Sequence, residues 1–545
     1  MPSSISTQLL SKLTVKRLDH LGLVAGMCHE LGIARMIDAV LPKYSEHTVS
    51  HGQAVIAMIL NGLGFHSRTL HMFPSFFTDK PTERLIGPGV QAEHLNDDVL
   101  GRCLDALYEA DVSALYQAIS ERVVDKLGLQ SSAVHLDITS FHVDGDYACN
   151  EDDENDHIQL VKGYSRDHRP ELNQVILELI CENQAGIPVY MQALSGNVND
   201  QKAFSEVTRH HISSLKAAQQ SRYFVGDAAL YTADSIIAME QQGQLFASRV
   251  PVTIKEAKQA IRQLDPTKLV TLGNGYHGCW LNSCYAGVTQ KWLLLRSEQA
   301  MKREQRTLEK NLLKHSEKEL RSFQKLCKKR FACEQDAMQA LKEFQQSLQL
   351  LRIEDTGCTT STNFSNRGRP KKGQQPLRYE YQLNGQVSTC LEKVAQARAQ
   401  TGIFILATND CSDSLDMQKL LDIYKSQQSV ERGFRFLKSP EFLTSSLFLK
   451  KPERIEALLM IMTCSLMIYA ALEHKIRNNL KSQAQYFPNM KNKPCQNPTA
   501  RWVFICFIGI SEASLGSSPP VITDMQERHQ VIIDVLGPSY RKIYS

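Results

Sequence analysis

The sequence predicts a mixed α/β protein: a sheet with flanking helices, preceded by an all-helical region and interrupted by a long insertion. Three observations carry this. Apolar residues recur near helical period from about Leu13 to Leu127. At Ser132 the period becomes two, and Val134-His135-Leu136-Asp137-Ile138-Thr139-Ser140-Phe141 alternates as a strand does. Strand and helix patterns then alternate to about Val250 and resume at Gly402, as a mixed sheet with flanking helices requires.

In the helical region the patterns cover Leu21–Leu31, Gly52–Leu63, Val99–Ala110 and Val112–Leu127, with Thr48 or Ser50 as a cap. Strands are expected at Gln174–Ile180, Ile187–Ala193, Arg222–Gly226 and Leu245–Val250, with a helix over Ala233–Gln242. The interruption holds strand-like Gly278–Tyr285 and Lys291–Arg296, then one charged helix from about Glu298 to Leu351. Thr356–Gln374, rich in Ser, Thr, Asn, Gly and Pro, reads as a loop. Gly402–Thr408 is a buried strand, and Ser414–Leu437 and Pro452–Leu480 are helices. Pro488–Pro498 reads as a loop and Trp502–Ile510 as an apolar run that packs. The chain thus divides into a helical domain, 1–127; the first part of the core, 128–252; the insertion, 253–401; the end of the core, 402–480; and a C-terminal segment, 481–545.

The bulk numbers bound the function loosely. A net charge of +4 permits nucleic-acid binding without demanding it. None of the 14 cysteines stands in a C-x-x-C pair, so zinc modules are not indicated and reduced thiols in a cytoplasm are expected. Residues 1–16 hold no apolar signal core. Ile455–Leu472 is interrupted by Glu456 and reads as a core helix rather than a membrane span. There is no Walker-type phosphate loop and no Gly-x-Ser-x-Gly, which argues against ATP-driven helicases and serine hydrolases.

Three acids stand out. Asp137 breaks an otherwise apolar strand, where a carboxylate is unwelcome. Asp227 ends the apolar run Tyr223-Phe224-Val225-Gly226, and Glu431 sits in a helical pattern. Carboxylates at strand ends and on a neighbouring helix can converge into an oxygen cluster for hard ions such as Mg²⁺. Tyr424, Gln427, Glu431 and Lys438 follow Tyr-x2-Gln-x3-Glu-x6-Lys, and steps of seven return nearly to one helix face. That stripe suits a metal-held phosphate, with Glu431 on the metal and Lys438 on the phosphate; a solvated helix face fits the same spacing. Asp144, Asp146 and the acidic run Glu151–Asp156 fall in turn or loop sequence and are set aside, as are His135 and His142, since Mg²⁺ prefers oxygen.

The stripe resembles the Tyr-Arg-Glu-Lys signature of DDE transposases of bacterial insertion sequences, departing at Gln427 or Gln428, where arginine usually stands. The resemblance extends over roughly residues 10–475. It includes the segments around Asp137 and Asp227, Gly163-Tyr164-Ser165-Arg166-Asp167-His168-Arg169-Pro170, Ser195-Gly196-Asn197 and Arg454-Ile455-Glu456-Ala457. It implies an RNase H-like core whose last catalytic helix is separated from the sheet by a mostly β insertion. This accounts for gaps of 90 residues from Asp137 to Asp227 and 204 from Asp227 to Glu431. It also implies catalysis and metal binding by Asp137, Asp227 and Glu431 with two Mg²⁺ (or Mn²⁺) ions. The reaction would be hydrolysis at the element's ends, then attack of the freed 3′-hydroxyl on target DNA. The partners implied are double-stranded DNA, as terminal inverted repeats and target, and a second copy of the chain on that DNA; no membrane is expected. The setting would be the cytoplasm of a bacterium, at the nucleoid.

DNA contacts are sought elsewhere too. Arg367-Gly368-Arg369-Pro370-Lys371-Lys372 holds the Gly-Arg-Pro core of an AT-hook, and a plain basic linker fits it equally. Arg166 and Arg169 suit either a phosphate contact or a structural turn. From Met301 to Arg330 there are eleven Lys/Arg and four Asp/Glu; that run can track a phosphate backbone or simply be solvated. Trp280 and Trp292 fit base stacking or core packing. In region 1–127 no recognition helix stands out, and both end recognition and plain packing fit. Two rivals remain: an RNase H-like nuclease, and a transposase-derived protein that binds DNA without cutting it.

Overall fold

The computed structural model describes residues 13–42, 48–65, 68–143, 158–164, 169–210, 222–363, 376–427, 433, 438, 449–516 and 518–545. The chain forms two compact units: residues 1–249, 284–290 and 408–545, and residues 250–283 and 291–407.

The first unit opens with a short strand where a helix was expected. β1 (Leu13–Arg17) pairs antiparallel with Ser511–Leu515 across nearly the whole chain length. Its alternation of Leu13, Val15 and Arg17 is too short to be told from helical period. Helices follow at α1 (Leu21–Leu31), α2 (His51–Gly62), α3 (Asp97–Glu109) and α4 (Val112–Leu127). Ser50 caps α2 in a reciprocal box with Gln53, and Asn96 and Asp111 cap α3 and α4 by accepting from first-turn N–H groups.

The sheet of this unit runs β4-β3-β2-β5-β6, with β2 (Ala133–Val143), β3 (Asn173–Glu182), β4 (Pro188–Ser195), β5 (Tyr223–Gly226) and β6 (Leu245–Arg249). β2, β3 and β4 are antiparallel neighbours, while β5 and β6 run parallel to β2. α5 (Ala233–Gln241) makes the crossover between β5 and β6, as parallel pairing demands. This is the mixed sheet with flanking helices that the RNase H-like reading expects.

In the second unit the strands are β7 (Val270–Leu272), β8 (Tyr276–Tyr285), β9 (Val288–Ser297), β10 (Leu351–Asn363), β11 (Arg378–Thr389) and β12 (Ile403–Thr408), in the orders β12-β9-β8-β7 and β10-β11. The single charged helix expected over 298–351 is two helices, α6 (Glu298–Lys328) and α7 (Glu334–Ser347). The break lies at Phe331, whose backbone exchanges both hydrogen bonds with Tyr381 of β11. Its ring joins Phe323, Leu341, Ile353 and Leu383 in a core that needs the chain to turn there. Part of the expected loop is also strand: residues 356–363 lie in β10 and pair with β11. Thr359, Ser361 and Asn363 are polar but mostly β-tolerant, and burial did not mark them because this part of the ribbon is largely exposed.

The chain returns to the first unit through α8 (Met417–Lys425) and α9 (Pro452–Ser482). α9 is long and apolar enough to cross a membrane, but its apolar window is 83% buried inside the fold. Leu459, Met460, Met467, Ile468 and Leu472 pack among α1–α4 and β4. At its start Arg454 makes a two-pronged ion pair with Asp105 of α3, both bonds 2.7 Å.

Candidate active site

Asp137 lies in mid-β2, half-buried, and its Oδ1 accepts from the Ile138 N–H at 2.8 Å. The parallel ladder joins Ala133, Val134 and His135 of β2 to Tyr223, Phe224 and Val225 of β5. Asp137 stands two residues beyond the last pair within β2, and Asp227 two residues beyond it, just after the end of the neighbouring β5. Asp227 is exposed, and β5 has ended there. Its Oδ1 accepts from the Ala229 N–H at 2.8 Å, a turn that fixes the carboxylate. Its carbonyl accepts from the Ser248 hydroxyl at 2.8 Å.

Side chains alternate along β2, so His135, Asp137, Thr139 and Phe141 share a face. Two of these meet the segment that follows α8. His135 Nε2 lies 2.7 Å from the Ser426 hydroxyl, which itself donates to the Ile423 carbonyl at 2.7 Å. The imidazole therefore carries its proton on Nε2, and Nδ1 has no hydrogen-bond partner among the described residues. Burial pushes the ring's pKa down to about 3, so it is neutral. Further along the face, Lys438 Nζ lies 6.0 Å from the Phe141 ring centroid. Between these points, a Cβ on Gly433 would come within 3.1 Å of Leu466 on α9.

Gln427 is buried next to Ser426, the partner of His135, and Lys438 lies by Phe141 on the β2 face that carries Asp137. Tyr424 is half-buried in the last turn of α8. Arg169 is exposed and paired with Glu171 beside β3. Glu431, Arg166, Arg367 and Arg369 lie outside the described residues. Of the two tryptophans, Trp292 is buried core, while Trp280 is partly exposed with Lys291 over its ring at 5.8 Å.

His135, which sequence reasoning took for a packing or hydrogen-bonding residue rather than a ligand, is hydrogen-bonded; its partner Ser426 was not identified, since two polar residues 291 positions apart carry no pairing signal. Sequence reasoning also missed Asp410, buried just after β12 and held by Tyr223 at the start of β5 and by Arg222 at 3.0 Å. Burial works to raise this carboxyl's pKa, but hydrogen bonds from Ser412 and Tyr223 and the Arg222 charge hold it below the usual value.

Two motifs that looked separate in the sequence prove to be one feature. Gly163 and Gly196 touch: a Cβ on Gly163 would fall 2.0 Å from the Gly196 carbonyl, and one on Gly196 2.1 Å from the Gln174 carbonyl. The Gln174 amide ties them by donating to the Gly196 carbonyl at 2.7 Å.

Residues 131–468 match the family model described as a transposase DDE domain, and residues 13–121 match a domain of unknown function, DUF4277. No curated protein matches the chain. Among solved structures, the piggyBac transposase synaptic complex with hairpin DNA is similar at a TM-score of 0.38 and 9% identity, over 91% of this chain and 82% of that one. Transposases of the DDE family cleave and transfer DNA and generally use divalent metal ions. The family match spans more than half the chain and contains both aspartates and Lys438, so this protein belongs to the transposase DDE domain family.

Proposed function

We propose that this chain moves an insertion sequence by cutting its ends and joining them to target DNA, with Asp137, Asp227 and Glu431 holding two Mg²⁺ (or Mn²⁺) ions. The observation that supports the reading is the parallel pairing of β2 with β5, with Asp137 two residues past the last pair in β2 and Asp227 directly after β5. A pair of carboxylates, each oriented by a backbone N–H, is an oxygen donor set that fits a hard divalent ion. When bound, such ions supply Lewis acidity at the phosphorus and to the attacking and leaving oxygens.

Glu431 is assigned by its place in the Tyr-x2-Gln-x3-Glu-x6-Lys pattern. Ser426 meets His135 and Lys438 meets Phe141, six residues further along the same face of β2. The chain's own residues then do three things. The two aspartates and Glu431 fix the ions, neutral His135 sets the distance between strand and helix, and Lys438 holds a DNA phosphate with Tyr424 and Gln427 beside it.

In the first step water attacks phosphorus at the element's end and the 3′-oxygen leaves as a hydroxyl. In the second that hydroxyl attacks a target phosphodiester, whose own 3′-oxygen leaves. Double-stranded DNA, as terminal repeats and target, and a second copy of the chain are the partners in this reading, and Arg166, Arg169, Arg367 and Arg369 are further candidates for backbone contact. The setting proposed is the bacterial cytoplasm at the nucleoid. The test is incubation of the purified chain with duplexes carrying its element's ends. Cleavage at the ends in Mg²⁺ that stops with chelator supports the reading. Tight binding without cutting in Mg²⁺ or Mn²⁺ points instead to a DNA-binding derivative.

A further inference from the structure

The outer face of α6 carries a straight row of cations. Arg303, Lys310, Lys314, Arg321, Lys325 and Lys328 follow steps of seven, four, seven, four and three, which return to one side of a helix. All six are exposed. Arg306 and Lys318 flank the row and are exposed as well.

Three acids of the same helix, Glu304, Glu309 and Glu319, are turned away from this row. Glu304 accepts from the Gly402 N–H at 2.6 Å, and Glu319 from the backbone N–H groups of Gln349, Leu350 and Leu351 at 2.8–3.3 Å. Glu309 lies 3.8 Å from Arg398. Phe323, on the same side as Glu319, is buried in the unit's core. Among the described residues, Arg321 alone of the six cations pairs with a carboxylate, the exposed Glu317 at 3.5 Å.

Much of the row works against the helix itself. Lys310 and Lys314, Arg321 and Lys325, and Lys325 and Lys328 are like-charged neighbours at helical contact spacing, which destabilises a helix. From Arg303 to Lys328 the row extends about 38 Å, the length of roughly one turn of duplex DNA.

We propose that this face of α6 lies along the phosphate backbone of duplex DNA and binds it without reading sequence. That the polyanion is DNA rests on the function proposed above. The row's charge, its length and the single ion pair it makes among the described residues favour phosphates spaced along a rigid rod.

The test measures affinity of the full chain for a long non-specific duplex by fluorescence anisotropy, from about 50 to 200 mM KCl. The variant is the triple Lys310→Gln, Lys314→Gln and Arg321→Gln. The control is Lys255→Gln, Lys258→Gln and Arg262→Gln, exposed cations on Lys255–Arg262 that remove the same charge. Losing three phosphate contacts should flatten the slope of log K against log salt by about 2.7 and weaken binding by about tenfold or more, with the control close to wild type. Equal loss in both triples overturns the inference in favour of bulk charge. A wild-type slope in the α6 triple, or wild-type binding that is insensitive to salt, also overturns it. Should the triple fail to fold by circular dichroism, Lys314→Gln alone must flatten the slope by about 0.9. This readout is separate from catalysis. Failure to cut leaves the slope to be measured, and an unchanged slope leaves cleavage by the carboxylates to be judged alone.

Discussion

The His135 ring and the Ser426 hydroxyl, 291 residues apart, meet at 2.7 Å and join strand β2 to the end of α8. The imidazole is buried and neutral and donates through Nε2, so Ser426 is its acceptor. Ser426→Ala leaves that buried N–H without its partner, at a cost of about 1–3 kcal/mol in stability. Because the contact also sets strand-to-helix distance beside Asp137, strand cleavage should fall further than DNA affinity does. Urea unfolding and paired binding and cleavage assays check this; equal losses in affinity and cleavage would remove the positioning role.

Two buried histidines make stability depend on pH. Burial holds His135 down to about 3 and His20 down to about 4, both below the ordinary 6.5. As pH falls below 6.5 the unfolded chain takes up protons on these rings and the native chain does not. Stability present above pH 6.5 is therefore lost toward pH 3–4, at up to about 1.4 kcal/mol per unit for each ring. Glu456, pushed up to about 7 by burial with the Asp111 charge adding to it, acts in the opposite direction between 4.5 and 7. The readout is thus a difference: His20→Phe should lose less stability than wild type between about pH 7 and 5. An identical loss in both would contradict the assignment.

The contact of Gly163 with Gly196 leaves no room for a methyl group. Gly196→Ala drives a Cβ against the Gln174 and Val161 carbonyls at 2.1 and 2.5 Å. Backbone on both sides cannot rotate away, so a loss of more than about 3 kcal/mol is expected. A thermal shift close to zero would show that the β3–β4 end relaxes.

The two aspartates could be singled out in the sequence, and what could not be read has physical reasons. Asp137 announced itself because a carboxylate interrupts Leu136, Ile138 and Phe141 in a buried strand, and Asp227 because it ends a short apolar one. The parallel pairing of β2 with β5 was not legible, since parallel register depends on a crossover whose geometry sequence period does not encode. The helix break at Phe331 was hidden because Lys328, Lys329 and Arg330 continue the charge pattern without a Gly or Pro. β10 was missed because its outer residues are polar on both faces, leaving no alternation to read.

The central claim is that Asp137 and Asp227 act as one oxygen site. The direct measurement is strand cleavage at the element's ends in Mg²⁺ by wild type, Asp137→Ala and Asp227→Ala, with binding to the same duplex measured alongside. Each variant should bind about as tightly as wild type and cut at least about a thousandfold more slowly. The double variant should be no slower than either single one, because residues that act as a unit are not additive. Wild-type cleavage by either single variant would contradict the account and move the chemistry to other residues.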